Sequence, residues 1–235
     1  EEVDEEPVDP SSWFADAVLR QVEADRPLRV LDIGCGNGAH LFALAARMPK
    51  AMFHGVDISA ANIEQAERTR KESAAAGRIE FWCANYLQFQ GEAFDLVVSD
   101  SALHLIEGET ATVLSKIAAN LVPGGLLIAS IPDGGLYNRV LWLARRAFVA
   151  LRSPRLDAWA LALASRLHRG AHDAAFLQER IPYLYLLPLR HEGKRLREAA
   201  RDHGLQWLGS QPVPHASIAQ PVHVLATYQR TRVGS

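Results

Sequence analysis

Three glycines within five residues, Gly34-Cys-Gly-Asn-Gly38, follow an apolar run of Val30, Leu31 and Ile33 and precede a helix-forming stretch over 39–48. An apolar run that halts at glycines reads as a buried parallel strand ending in a tight turn, with a helix directly after it. Gly34, Gly36 and Gly38 permit positive φ and carry no Cβ, so a ligand can lie against bare backbone at that helix's N-terminus. A second apolar stretch, 51–56, ends in Asp57, where the second strand of a nucleotide-binding βαβ unit places its acidic residue. Both strand tips are expected to meet one ligand.

The glycines alone do not name that ligand, because Gly34-Cys-Gly-Asn-Gly-Ala39 also satisfies the G-x-G-x-x-G/A pattern of dinucleotide sites. Asp32 separates the readings. A carboxylate two residues ahead of the first glycine repels a pyrophosphate lying across the turn and suits a ligand with a cationic amine. S-adenosylmethionine offers an ammonium, a sulfonium and a ribose with two hydroxyls, and it has no phosphate. With Asp57 accepting from the ribose hydroxyls, Asp32 and Asp57 fit it better than NAD. An NAD-dependent oxidoreductase stands as one alternative and a non-catalytic adenosyl-binding protein as another.

In these residues the chain resembles the class I S-adenosylmethionine-dependent methyltransferases, whose first motif is an acidic residue followed by G-x-G-x-G. The likeness continues in order through Asp57, Phe94-Asp-Leu-Val-Val-Ser-Asp100 as a fourth strand and Leu121-Val-Pro-Gly-Gly-Leu-Leu-Ile128 leading into a fifth. It covers about residues 12–132 and resumes near 192. The resemblance implies an α/β fold: a Rossmann-like, seven-stranded, mostly parallel sheet with helices on both faces, a closing β-hairpin and a helical insertion after the fifth strand. It also implies a cofactor site of Asp32, Gly34, Gly36, Gly38, Asp57, Ile58, Asn85, Tyr86 and Asp100. The family usually has Gly-Asp-Ala where this chain has Ala84-Asn85-Tyr86, so Asn85 takes the place of the aspartate that accepts from adenine. Asparagine can still accept through its side-chain oxygen. The Asn/Asp-Pro-Pro-aromatic segment of nucleic-acid amino-methylating enzymes is missing, its place held by Ser99-Asp-Ser-Ala102. A small-molecule acceptor follows, with no nucleic acid.

At 235 residues, 49% hydrophobic and 22% charged, the chain suits one domain with an insertion. Its net charge of −2 gives no global basic field to draw in nucleic acid. Cys35 and Cys83 are too few for a disulfide framework or a cysteine zinc site, so no metal and a cytoplasmic setting are expected. No apolar run reaches the ~20 residues of a membrane span. The organisation expected is an acidic tail over 1–11, a cofactor-binding half over 12–132, a helical lid or substrate insertion over 133–190, and a C-terminal helix with the closing hairpin over 191–235. A monomer or a homodimer both fit.

Glu1, Glu2, Asp4, Glu5 and Glu6 mark the tail as solvated. Trp13, Phe14, Ala17 and Val18 give the next helix an apolar stripe, placed either in the core or over the ligand. Further helices are expected over 59–76, ended by Gly77, and over 107–120, with a third strand over 79–83 between them. The fourth strand is expected over 94–98, Pro123-Gly124-Gly125 as a turn, and the fifth strand over 126–131. Within the insertion, Leu136, Val140, Leu143, Ala147 and Leu151 mark one amphipathic helix. Leu156, Trp159, Ala160, Leu163, Ala164 and Leu167 mark a second, divided from the first at Ser153-Pro154. The insertion holds nine arginines against four acids, a net +5, which leaves −7 on the remainder. A basic cap over an acidic base favours an anionic acceptor, though a solvated helix face explains most arginines equally well. Ile181-Pro-Tyr-Leu-Tyr-Leu-Leu-Pro188 reads either as a tyrosine-lined pocket wall or as a connector. A helix over 192–202, closed by His203-Gly204, then leads to two strands over 205–213 and 222–228.

Methyl transfer from a sulfonium needs position and exclusion of water rather than a protein nucleophile. O-methylation is the first choice, with nitrogen or carbon as other acceptors. A hydroxyl acceptor calls for a base, and His104, just after the fourth strand, is the catalytic candidate, with His191, His215, Tyr183 and Tyr185 behind it.

Overall fold

A computed structural model describes residues 10–168, 186–214 and 220–232. In chain order these form α1 (Pro10–Leu19), β1 (Arg29–Ile33), α2 (Ala39–Arg47), β2 (Met52–Asp57), α3 (Ala60–Glu72), β3 (Ile79–Cys83) and β4 (Phe94–Asp100). There follow α4 (Thr110–Asn120), β5 (Leu121–Pro132), α5 (Leu136–Ala150), α6 (Pro154–His168), α7 (Lys194–Asp202), β6 (Leu205–Pro212) and β7 (His223–Arg230). The seven strands run β3-β2-β1-β4-β5-β7-β6, the first five parallel and β7 antiparallel to both its neighbours. This is the Rossmann-like α/β sheet with a closing hairpin that the resemblance implied.

Alternate side chains of the central strands feed two cores. Leu31, Ile33 and Val97 join Phe89, Phe94, Ile117 and Leu196 on one face, whereas Val30, Leu96 and Val98 join Phe14, Leu41, Met48 and Phe53 on the other. Burial on both faces explains why these strands read as unbroken apolar runs. Phe14 is therefore core rather than a cover for the ligand, and Trp13 packs partly buried against the same cluster.

Several boundaries differ from the sequence expectation. Ser59 caps α3 by accepting from Asn62 N, but α3 stops at Glu72, and Gly77 sits without positive φ in the 3-10 turn Ala76–Arg78. There the Arg78 guanidinium donates to the carbonyls of Ala45, Met48 and Ala51, tying this turn to the end of α2. β4 runs on to Asp100, α4 starts only at Thr110 and α7 only at Lys194. Pro123-Gly124-Gly125 lies inside β5, where the register with β4 slips and Gly124 takes φ 84°.

The insertion is rooted by Asn138. This fully buried amide donates to the Asp133 and Val222 carbonyls and to Asp133 Oδ1, and it accepts from Val222 N at 2.9 Å. An amphipathic helix ordinarily turns its apolar stripe to the core. α5 does the reverse: Leu136, Val140, Leu143, Ala147 and Leu151 all face out, while Asn138, Leu141, Trp142, Arg145 and Phe148 form the partly covered side. Glu192, Tyr228 and Arg197 lock the other end. Tyr228 donates to the buried Glu192 at 2.6 Å, and Arg197 pairs with the same carboxylate and lies over the Trp207 ring. The acidic tail, residues 169–185 with Tyr183 and Tyr185, and His215 fall outside the described residues.

Asn138→Ala leaves Val222 N without its acceptor and the Asp133 carbonyl without its Asn138 donor, so chemical denaturation should show a loss of about 2–3 kcal/mol. A change under about 0.5 kcal/mol would mean that the insertion is held elsewhere.

Candidate active site

The carboxyl ends of β1, β2 and β4 are neighbours in the sheet, and each carries an aspartate there: Asp32, Asp57 and Asp100. Ligands of open α/β sheets bind at this end. The turn after β1 folds onto β2, with Gly34 N and Cys35 N donating to the Val56 carbonyl at 2.8 and 3.2 Å. Gly34 has φ 74°, and a Cβ built on it would lie 2.2 Å from Ala102 Cβ, so the turn closes only because that atom is absent. Gly36 differs. At φ 54° its missing side chain would meet nothing within 4 Å, which leaves bare backbone facing open space.

Asp57 pins this turn. Its Oδ2 accepts from Gly36 N at 2.9 Å, and its Oδ1 accepts from Ser59 N at 2.8 Å at the start of α3. A carboxylate has about four lone-pair sites, so acceptor capacity remains. Ile58, the next residue, is 75% exposed and presents an apolar surface beside Asp57.

Asp32 is only 1% exposed, and its Oδ2 has no hydrogen-bond partner. Burial pushes its pKa up to about 7; His40 opposes the rise, and the negative fields of Asp100 and Asp57 add to it. A buried carboxylate oxygen with nothing to pair it fits a cationic group supplied by a ligand.

His40, in the first turn of α2, was not singled out by the sequence. Its Nε2 lies 3.1 Å from Asp100 Oδ2. The available signal was its place two residues past the glycines, since helix side chains lean back toward the N-terminus. Burial raises the Asp100 pKa, but the hydrogen bond and charge of His40, with the Ser130 and Ser101 hydroxyls, outweigh it and hold the group below its ordinary value. Ser101 is the one described non-glycine residue with positive φ, at 56°, a strained backbone of the kind found at ligand sites.

Three expected site residues are committed elsewhere. The Tyr86 ring is buried in the core and its hydroxyl donates to Asn120 Oδ1 at 3.1 Å, so its side chain is turned away from solvent. Asn85 Oδ1 accepts from Leu87 N at 2.9 Å, which leaves its Nδ2 to offer a ligand. His104 is buried with its ring 5.4 Å from that of His223. Burial, then His223 and Arg145, lower its pKa to about 3, against the opposing pull of Asp100. An imidazole that holds its proton so weakly is a poor general base at neutral pH. Its carbonyl accepts from Leu189 N at 2.9 Å, which ties the end of the insertion to the loop after β4. Arg190, counted in the basic cap, is buried and donates to the carbonyls of Leu103, Ile106 and Gly108. Among the described residues no cluster of His, Cys, Asp and Glu could hold a metal ion.

The raised Asp32 carboxyl has a consequence for stability. Below its ordinary value of 3.8 it is protonated in both folded and unfolded chains; from there to about 7 the unfolded chain ionises first, so folding weakens as pH rises. Asp32→Asn should therefore stabilise the ligand-free protein at pH 8, by up to ~3–4 kcal/mol, and much less at pH 5. Denaturant midpoints at the two pH values measure this, and a gain independent of pH would contradict it.

Residues 30–125 match a family model described as a methyltransferase domain. The chain is 33% identical over 135 residues to the trans-aconitate 2-methyltransferase of Pseudomonas paraeruginosa, covering 53% of this chain and 46% of that protein. The chain thus spans about half the length of the curated relatives it matches. Two crystal structures share the fold. Magnesium protoporphyrin IX methyltransferase from Synechocystis PCC 6803, with bound SAH, has TM-score 0.60 and 18% identity, covering 94% of this chain and 84% of that one. The 1,6-didemethyltoxoflavin-N1-methyltransferase of Burkholderia thailandensis, bound to 1,6-didemethyltoxoflavin and S-adenosylhomocysteine, has TM-score 0.60 and 19% identity, covering 94% and 77%. Residues 30–125 thus match a methyltransferase domain, and the described residues share the α/β fold of methyltransferases crystallised with S-adenosylhomocysteine.

Proposed function

We propose that this chain binds S-adenosylmethionine at the ends of β1 and β2 and directs methylation of a small acceptor, in the first instance on a carboxylate oxygen. The observation that carries the reading is the buried, unpartnered Oδ2 of Asp32 beside the open backbone of Gly36. Asp32 would hold the ammonium, Asp57 the ribose hydroxyls, and Ile58 with Asn85 Nδ2 the adenine, while Gly34 and Gly38 shape the turn. When bound, the sulfonium supplies an activated methyl group. The protein's own part is to orient the donor, keep water out and hold the acceptor in line. A pyrophosphate would meet three aspartates here, which disfavours the dinucleotide alternative.

The other half of the site has the opposite sign. Arg145, partly covered on α5, and Arg190 both bear on His104 electrostatically, and His223 stands beside it. These groups support an anionic acceptor, in keeping with relatives that carry the name trans-aconitate 2-methyltransferase. A carboxylate is already deprotonated at neutral pH, so its oxygen needs no base. The low basicity of His104 then costs such a reaction nothing. Methylation on nitrogen or carbon, or binding without turnover, are the readings that the following experiments separate from this one.

Affinity for S-adenosylmethionine should fall about tenfold per pH unit below pH 7, because the ammonium requires ionised Asp32. Calorimetry in buffers of different ionisation enthalpy should show proton release at pH 6 in the native chain and none in Asp32→Asn. Asp57→Ala should weaken binding at least tenfold at every pH. Unchanged affinity in both variants would remove the cofactor assignment.

Labelled methyl transfer to a panel of di- and tricarboxylates tests the acceptor. His104→Gln should lower kcat less than tenfold with an unchanged pH profile, whereas Arg145→Leu should raise the acceptor KM and leave cofactor affinity alone. Labelling only of amines or phenols would overturn the carboxylate reading.

A further inference from the structure

α5 holds the inference. Leu136, Val140, Leu143 and Leu151 are 78%, 58%, 66% and 70% exposed. With Ala147 they occupy about 80° of the helix circumference at ~100° per residue. The helix is already docked by its opposite side, through the Asn138 amide, the Trp142 ring 5.1 Å from that of His191, and an Arg145 donation to the Leu186 carbonyl. The outward stripe is thus a contiguous apolar face that no described residue covers. Arg139 and Arg146, two turns apart and both exposed, run along one edge of it. α6 repeats the pattern on its own surface: Trp159 and Leu163 are exposed at i, i+4, and Arg155 and Arg166 extend the same column.

We propose that α5 and α6 form a docking surface for an anionic phospholipid bilayer, with leucines and tryptophan entering the acyl boundary and arginines meeting phosphate headgroups. Apolar side chains, interfacial tryptophan and arginine at the stripe's edge are the features of a helix lying in the membrane plane. Residues 133–168 hold six arginines against two acids, whereas the whole chain carries −2, so the positive charge is concentrated where the apolar stripe is. Neither helix can cross the bilayer, because 15 residues span only about 22 Å.

Other occupants match this surface less well. A second copy meeting it symmetrically would bring the Arg139 and Arg146 rows against their own copies. The segment 169–185 has two arginines and two acids, hence no net charge to complement the helices. The acidic N-terminus has the right sign, but Val3 and Val8 are its only apolar side chains other than Pro7. α5 departs from the carboxyl end of β5, the same end of the sheet as Asp32 and Asp100. If the methyl-transfer reading holds, the acceptor class narrows to anionic amphiphiles taken from the membrane face. The docking itself does not rest on that reading.

Sedimentation of the full chain with vesicles of phosphatidylcholine, with and without phosphatidylglycerol, tests the proposal. Binding should require phosphatidylglycerol and weaken with salt. Leu136→Ser and Leu143→Ser should each lower the apparent affinity about tenfold, and Arg139→Glu with Arg146→Glu should erase the preference for phosphatidylglycerol. Because these side chains are exposed, unfolding midpoints and S-adenosylmethionine binding should match the native chain, which separates lost docking from lost fold. Absence of sedimentation with both vesicles would overturn the proposal, as would sedimentation insensitive to all four substitutions. A concentration-dependent dimer that Leu143→Ser abolishes, without vesicle binding, would assign the face to a second copy instead.

Discussion

A buried carboxylate with an unpartnered oxygen governs this end of the structure. Asp32 sits at the tip of a strand flanked by β2 and β4, so its neighbours in space are the tips that carry Asp57 and Asp100. Desolvation and two like charges make its ionised form expensive, and no protein donor reaches Oδ2. The rest of the site answers to that expense. His40, hydrogen-bonded to Asp100, offsets part of it by its own charge, Asp57 accepts from the backbone N–H groups of Gly36 and Ser59, and Ser99 Oγ ties β4 to the Ile33 carbonyl at 2.9 Å. Folding free energy is thereby stored in a form that a cation can release on binding.

The part of this legible in the sequence was the part written in strand ends. Val30-Leu-Asp-Ile33 and Phe94-Asp-Leu-Val-Val-Ser-Asp100 are buried on both faces, so their polar residues could only mark tips, and the glycines fixed the turn between them. Gly34 could be recognised as obligatory, but not that Ala102 enforces it, because that contact joins positions 68 residues apart. His40 was not legible for the same reason: its partner is Asp100, at the end of β4 and 60 residues away. The direction of the Tyr86 ring was not legible because adjacency to Asn85 says nothing about which way a ring turns at a 3-10 turn, and here it turns into the core.

The acceptor half was less legible, and arginine shows why. Charge counting treats Arg190 and Arg139 alike, yet one is buried against three carbonyls and the other stands at the surface. Helical periodicity has a similar limit. It located the stripe of Leu136, Val140 and Leu143 correctly, but a period cannot tell a face that packs inward from one left for a partner. Asn138 decides the matter, since its bonds to Asp133 and Val222 fix the rotation of α5 about its axis. A single buried amide thus sets which way five apolar residues point.

Under the proposed methyl transfer, the two halves of the site suit only certain acceptors. On the donor side, aspartates create a negative focus; on the other, arginines and a neutral histidine leave a positive one. A neutral phenol or amine would gain little from the arginines and would need a proton acceptor that His104, lowered to about 3, does not provide. A carboxylate gains from the arginines, needs no deprotonation, and carries its charge toward the sulfonium rather than away from it. Adding the apolar face of α5 extends the same logic. A membrane that concentrates the protein by its leucines and arginines would present an anionic amphiphile with its head toward this positive focus and its tail left in the lipid.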